Sequence, residues 1–227
     1  MKRLGMALLA IAALVLVYLA IVAGWAAASV DTLLARHPAT QASPLSPSQL
    51  AILLKIEDPT FLTHHGLSLA DGQGVATISS AVARDLFLYG AALPGTKGVL
   101  QRVYRAVFDC CRKIDLGRDV MALVLDASAS KQRQLDLYVG GVYMGRHEGR
   151  QVRGLEAAAQ AYLGKPLAAV DEDGMARLVA MIKAPNELHP VRNRDAFELR
   201  LARVRAVLAG RCQPKGWLDT SYVQCDP

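Results

Sequence analysis

Apolar positions fall in one unbroken block and then in spaced clusters. After Met1-Lys2-Arg3, the run from Leu4 to Val30 carries no charge, and Asp31 is the first acid. That run exceeds the roughly 20 residues a helix needs to cross a bilayer, so it predicts one transmembrane helix within residues 1–30. His37–Ser48 (HPATQASPLSPS) is rich in Pro, Ser and Thr and reads as a juxtamembrane linker, with bounds 31–48. Ala51–Leu54 and Ile56, broken only by Lys55, form an apolar helix that Pro47-Ser48-Gln49 can start. Asp171–Lys183 is acidic at its start and basic at its end, as the helix dipole prefers. Asp195–Leu208 spaces Phe197, Leu199, Leu201, Val204 and Val207–Leu208 among Arg residues, a second helical pattern. Strand-like alternation is scarce and short, so the part after the anchor reads as mainly α with long loops. Leu86–Leu93 (LFLYGAAL) is apolar but too short to span. It reads as a core segment or as a surface dipping into the bilayer beside the anchor.

Lys2 and Arg3 ahead of the apolar block place the N-terminus in the cytoplasm and the rest of the chain outside it. Ala26-Ala27-Ala28-Ser29 leaves a cleaved signal peptide as the alternative, but the length of the block favours an uncleaved anchor. The net charge of +6 suits anionic partners: lipid head groups, pyrophosphates or a negatively charged polymer. Nucleic acid fits the charge equally well. The anchor and the lack of any nucleic-acid motif argue against it. Cys212 and Cys225 flank a polar, Gly/Pro-containing tail, residues 211–227, and are expected to pair. Cys110 and Cys111 are adjacent, and vicinal cysteines rarely bridge without strain, so free buried thiols are expected there. No C-x-x-C spacing or Cys/His cluster suggests zinc.

The candidate chemistry begins at Ile56–Gly66 (IEDPTFLTHHG). Two acids, Glu57 and Asp58, stand where an apolar run ends and a Pro/Gly loop begins. A carboxyl group at such a junction is partly desolvated, which raises its pKa toward the range useful for proton transfer at neutral pH. The string resembles the first motif of the peptidoglycan glycosyltransferases, family 51, written E-D-x-x-F-x-x-H-x-G. Glu57, Asp58, Phe61, His64 and Gly66 match every fixed position.

Four further segments follow in the family's order. Gly74–Asp85 resembles G-x-S-T-I-T-Q-Q-x-x-K-N: Thr77 and Ile78 stand, Ser80-Ala81 replaces two Gln, Arg84 keeps the cation and Asp85 replaces the Asn. Thr77 and Ser79 would open a helix whose N-terminus can hold an anion. Arg112-Lys113 matches the start of R-K-x-x-E, and either Asp115 or Asp119 could replace its missing Glu. Lys131–Gly145 resembles K-x-x-I-L-E-x-Y-L-N-x-V-Y-x-G, with Asp136 for the Glu and Tyr138 retained. Gly154–Lys165 and Leu178–Pro190, with Lys183, Ala184, Pro185 and Pro190 in place, complete the series.

The resemblance implies a lysozyme-like glycosyltransferase domain over residues 49–210, held at the bacterial inner membrane. It implies polymerisation of lipid II into β-1,4 glycan strands with release of undecaprenyl pyrophosphate. Glu57 would be the base, with Asp115 or Asp119 as second carboxylate. Arg112 and Lys113 would hold the pyrophosphate, helped by Arg84 and Lys183, since cations stabilise the charge that develops as that bond breaks. Asp58, Phe61, His64, Thr77, Asp136 and Tyr138 would position the sugars. The expected partners are lipid II, the growing strand, the membrane and other cell-wall synthesis proteins. No cofactor is assigned, and a divalent cation (Mg or Mn) is left open. No joint S-x-x-K, S-x-N and K-T-G set marks a transpeptidase, so monofunctional transglycosylases are the expected closest relatives. Two other classes remain open: a catalytically impaired relative that binds lipid II or other cell-wall enzymes, and a lysozyme-like hydrolase using Glu57 as an acid.

Overall fold

A computed structural model describes residues 2–37, 44–73, 76–110 and 116–225, with the side chains of Lys2, Phe108 and Cys110 excepted. The fold is mainly α. Helix α1 (Lys2–Arg36) contains, among the described residues, the one stretch long and apolar enough to cross a membrane, with a mean hydropathy of 2.9. Its two halves have different surroundings. Side chains from Arg3 to Val17 are exposed. Val22, Trp25, Ala26, Val30 and Leu33 are buried at helical spacing and form a stripe that belongs to the domain core. Residues 31–36, placed in the linker from composition, continue the helix.

The stripe packs on α5 (Leu116–Ser128), on α4 (Gly95–Cys110) and on a π-helical segment, Asp85–Tyr89. Trp25 anchors it. Its Nε1–H donates to the Lys97 carbonyl at 3.0 Å, and its ring lies 5.0 Å from Tyr104 and 5.7 Å from Phe87. Leu86, Phe87, Leu88 and Leu93 are buried, so Leu86–Leu93 is core and its membrane-dipping alternative is corrected. Helix α4 carries an exposed apolar stripe of its own, Val99, Val103 and Val107, one every four residues.

Helix α2 (Pro47–Glu57) starts as the sequence predicts. Ser46 caps it, Pro47 takes the first turn, and Gln49 completes a capping box. The Gln49 amide then donates to the Leu167 and Val170 carbonyls at 2.9 and 2.7 Å. The helix stops at Asp58, whose backbone leaves helical geometry just before Pro59. Its apolar face packs on α8 (Glu172–Ile182) and α9 (Arg194–Leu208). Both match the two late helical patterns, α8 with Asp171 as its N-cap.

Between these layers lie α3 (Ile78–Arg84), α6 (Lys131–Gly141) and α7 (Leu155–Leu163). A hairpin of β1 (Tyr143–His147) and β2 (Arg150–Arg153) turns at Glu148-Gly149, both with positive φ, which matches the twist of the strands. Gly145 sits in an irregular register of this hairpin, and a Cβ there would come within 2.9 Å of the Pro185 carbonyl. Cys212 and Cys225 form the expected disulfide, with Cα atoms 5.6 Å apart. The expected thiols of Cys110 and Cys111 fall outside the described side chains.

Candidate active site

The site grows from the end of α2. Glu57 is the last helical residue, and its side chain enters a cavity of about 540 Å3 between α2, α3, α6 and α9. Tyr138, from α6, donates its hydroxyl to Glu57 Oε2 at 3.1 Å. Desolvation pushes the Glu57 carboxyl up to about 7, against the opposing pull of the Tyr138 hydrogen bond and the Arg200 charge. Burial and the adjacent Glu57 charge push the Tyr138 hydroxyl well above its usual range, so it stays a donor. Replacing Tyr138 by Phe removes a bond that favours the carboxylate. Glu57 should then titrate above 7, and a pH titration of the carboxyl by NMR checks this.

Asp58, the next residue, turns the other way and is fully buried. Its carboxylate accepts from His64 Nε2 (2.9 and 3.1 Å), Gln73 Nε2 (2.9 Å) and the Ile78 amide (2.9 Å). His64 Nδ1 accepts from the Gly66 amide at 2.9 Å, which leaves Nε2 to carry the proton toward Asp58. Asp58 thus joins the first motif to the start of α3 (Ile78–Arg84). Thr77 caps that helix, its hydroxyl accepting from the Ser80 amide and donating to the Gly66 carbonyl. The anion at this helix start is the protein's own Asp58.

Three cations face the cavity: Arg84 from α3, Lys183 just past α8, and Arg200 from α9. Arg200 is 6% exposed, stacks 4.4 Å from the centroid of Tyr222 and donates Nη1 to the Thr220 carbonyl at 2.9 Å. Lys183 is exposed as a residue, but its ammonium donates to Ser221 Oγ. Partial desolvation and then the Arg200 charge lower it to about 8. The groove continues past Arg84, Tyr138 and Tyr143 into a second lobe of about 380 Å3 that reaches the end of α1. Asp85 lies in that lobe, paired with Arg84 at 2.8 Å and Arg153 at 3.7 Å. The arrangement is a proton acceptor near neutrality beside a row of cations, in a groove of ligand-binding size.

A family profile described as Transglycosylase matches residues 29–209. The chain belongs to the transglycosylase family. It is similar to penicillin-binding protein 1B of Escherichia coli (strain K12), with 32% identity over 144 residues, 62% of this chain and 16% of that relative. Penicillin-binding protein 1A of Haemophilus influenzae is 31% identical over 176 residues, 75% of this chain and 18% of that relative. The chain therefore spans less than a fifth of the length of these two relatives. The matched range begins within the packed half of α1, at Ser29, and ends just after α9.

The transglycosylase groove brings together only part of the set expected from sequence. Glu57, Thr77, Arg84, Tyr138 and Lys183 line it. Asp58, Phe61 and His64 sit behind its wall as scaffold, with Phe61 1% exposed under the Lys131 ammonium at 4.8 Å. Asp136 lies apart from the groove-lining residues, on an outward face of α6, where Gln132 donates to it at 2.8 Å. Asp119, at the start of α5, pairs with its neighbour Arg118 at 3.0 Å and does not line the groove. Arg112, Lys113 and Asp115 lie outside the described residues.

No group of three or more His, Cys, Asp or Glu side chains gathers as a metal cage among the described residues. Asp85, the carboxylate of the second lobe, is already paired with Arg84 and Arg153. Sequence reasoning missed Arg200, Gln73 and Tyr222. Arg200 had a signal: it is the one charge in the inward stripe Phe197, Leu201, Val204, Val207 of α9. Tyr222 had none.

Proposed function

We propose that this transglycosylase polymerises lipid II at a membrane surface. Glu57 takes the proton of the acceptor sugar hydroxyl. The freed oxygen attacks the anomeric carbon of the donor, and the bond from that carbon to the pyrophosphate oxygen breaks. A single displacement on an α-linked donor yields a β linkage. Arg84, Lys183 and Arg200 hold the departing pyrophosphate, whose charge grows as the bond breaks. Arg112 and Lys113 are proposed to serve the same leaving group, with Asp115 as an added carboxylate. One observation carries the reading: Glu57, held near 7, shares its cavity with these three cations. Helix α1 would keep enzyme, donor and acceptor in one plane, raising their effective concentration. Its orientation is proposed as N-terminus in the cytoplasm and domain outside the inner membrane. Other cell-wall synthesis proteins are proposed partners.

The full chain is mixed in detergent with labelled lipid II, and products are resolved by electrophoresis. Polymer is expected. Tight binding without polymer would replace the reading with a lipid II-binding relative, and cleavage of preformed sacculi would replace it with a hydrolase. Because Lys183 must stay protonated to hold the leaving group, the rate should fall above about pH 8. Lys183→Arg keeps its charge at all working pH values and should abolish that alkaline fall. A rate profile to pH 9.5 checks it.

A further inference from the structure

Segment 212–225 lies beyond the matched range, yet it touches two of the three groove cations, Lys183 and Arg200. Its Thr220 carbonyl accepts from Arg200, its Ser221 hydroxyl from Lys183, and its Ser221 carbonyl from Arg203 at 3.3 Å. The Tyr222 hydroxyl donates to the Ile56 carbonyl at 3.1 Å, one residue before Glu57. On the other side of the first motif, the Gly72 amide donates to the Gly216 carbonyl at 3.0 Å. A Cβ on Gly72 would meet Pro214 Cγ at 2.4 Å, so that loop and the segment are in close contact.

Tyr222 is 2% exposed and adopts φ +54, a left-handed conformation costly for a bulky residue. Such a conformation persists only where its surroundings impose it. Here the Asp219 carboxylate accepts the Tyr222 amide at 3.0 Å, the Tyr222 carbonyl accepts the Cys225 amide at 2.9 Å, and the disulfide closes the loop.

We propose that the disulfide-closed segment 212–225 is a working wall of the catalytic groove and that Tyr222 is its positioning residue. The ring supports the Arg200 guanidinium, and the hydroxyl holds the end of α2 from which Glu57 projects. This rests on the polymerase reading above. Arg200 favours the charged form of Glu57. Losing the ring therefore changes the protonation of the base as well as the grip on the leaving group, and a plain loss of packing would not do that.

The test compares wild type, Tyr222→Leu, Tyr222→Phe and the double variant Cys212→Ser/Cys225→Ser in two readouts. One is the pH profile of polymerisation, and the other is direct titration of the Glu57 carboxyl by carbon-detected NMR. Tyr222→Leu is expected to lose kcat by roughly 10- to 100-fold, the scale of a misplaced reacting group, with both the acid limb and the titration moving above about 7. The double Ser variant should move the same way. Tyr222→Phe keeps the ring against Arg200 and should restore the titration, while loss of the hydroxyl bond to Ile56 should leave part of the rate loss. A Tyr222→Leu protein whose Glu57 titrates as in wild type would overturn the proposal, whatever its rate. Wild type that makes no polymer would remove the functional reading, while the titration would still decide the role of Tyr222.

Discussion

Glu57→Gln should lower glycan polymerisation by roughly 100-fold or more, because a general base contributes on the order of 10²–10⁴ to rate. The amide keeps the size and the hydrogen bond with Tyr138 but cannot take a proton. Stability should change in the opposite sense. The folded carboxyl titrates at about 7 against a reference of 4.5, so the folded state binds the proton more tightly than the unfolded chain. Wild type is therefore at full stability below about 4.5 and loses some as pH rises through 7. Glu57→Gln has no such loss. Its melting temperature should exceed that of wild type at pH 8, with the gap shrinking as pH falls through 7 and closing below 4.5. A variant that is less active and more stable is the signature of a group held at a cost for chemistry.

Asp58→Leu should do the reverse and unfold the site. The carboxylate is fully buried and accepts hydrogen bonds from His64, Gln73 and the Ile78 amide. Removing it leaves those donors without an acceptor in a space that excludes water. Loss of one partner from such a buried network costs about 3–5 kcal/mol, a large share of the stability of a domain this size. Urea denaturation at pH 7 should show a midpoint well below that of wild type, with activity lost as well. Asp136→Ala is the contrast. Among the described residues Asp136 is hydrogen-bonded by the exposed Gln132, so the stability of this variant should stay within about 0.5 kcal/mol of wild type. Equal effects of the two substitutions would contradict the placement of Asp58 as the hub.

Much of the fold was legible in local signals. The capping box of α2, the acidic start of α8 and the apolar spacing of α9 each reflect short-range chemistry. The hub at Asp58 was legible only as a motif, because its role depends on Gln73 and Ile78, up to 20 residues away. Composition could mark the apolar block of α1 but not its cover. Val22 and Trp25 meet the domain, while Leu8 and Leu9 do not, and nothing in a hydropathy pattern separates them. Asp119 and Asp136 carry the right chemistry at motif positions, but neither lines the groove that holds Glu57, and each is paired on its own helix. Arg200 and Tyr222 meet only in the folded chain, and Tyr222 reaches the groove on a segment closed by a disulfide.

The most direct test of the whole account is the acid limb of the wild-type polymerisation rate, measured beside the titration of the Glu57 carboxyl in the same protein. Coincident midpoints near 7 are predicted, with the limb absent from the residual activity of Glu57→Gln. A limb that persists unchanged in Glu57→Gln would show that another group accepts the proton, and the account would be wrong.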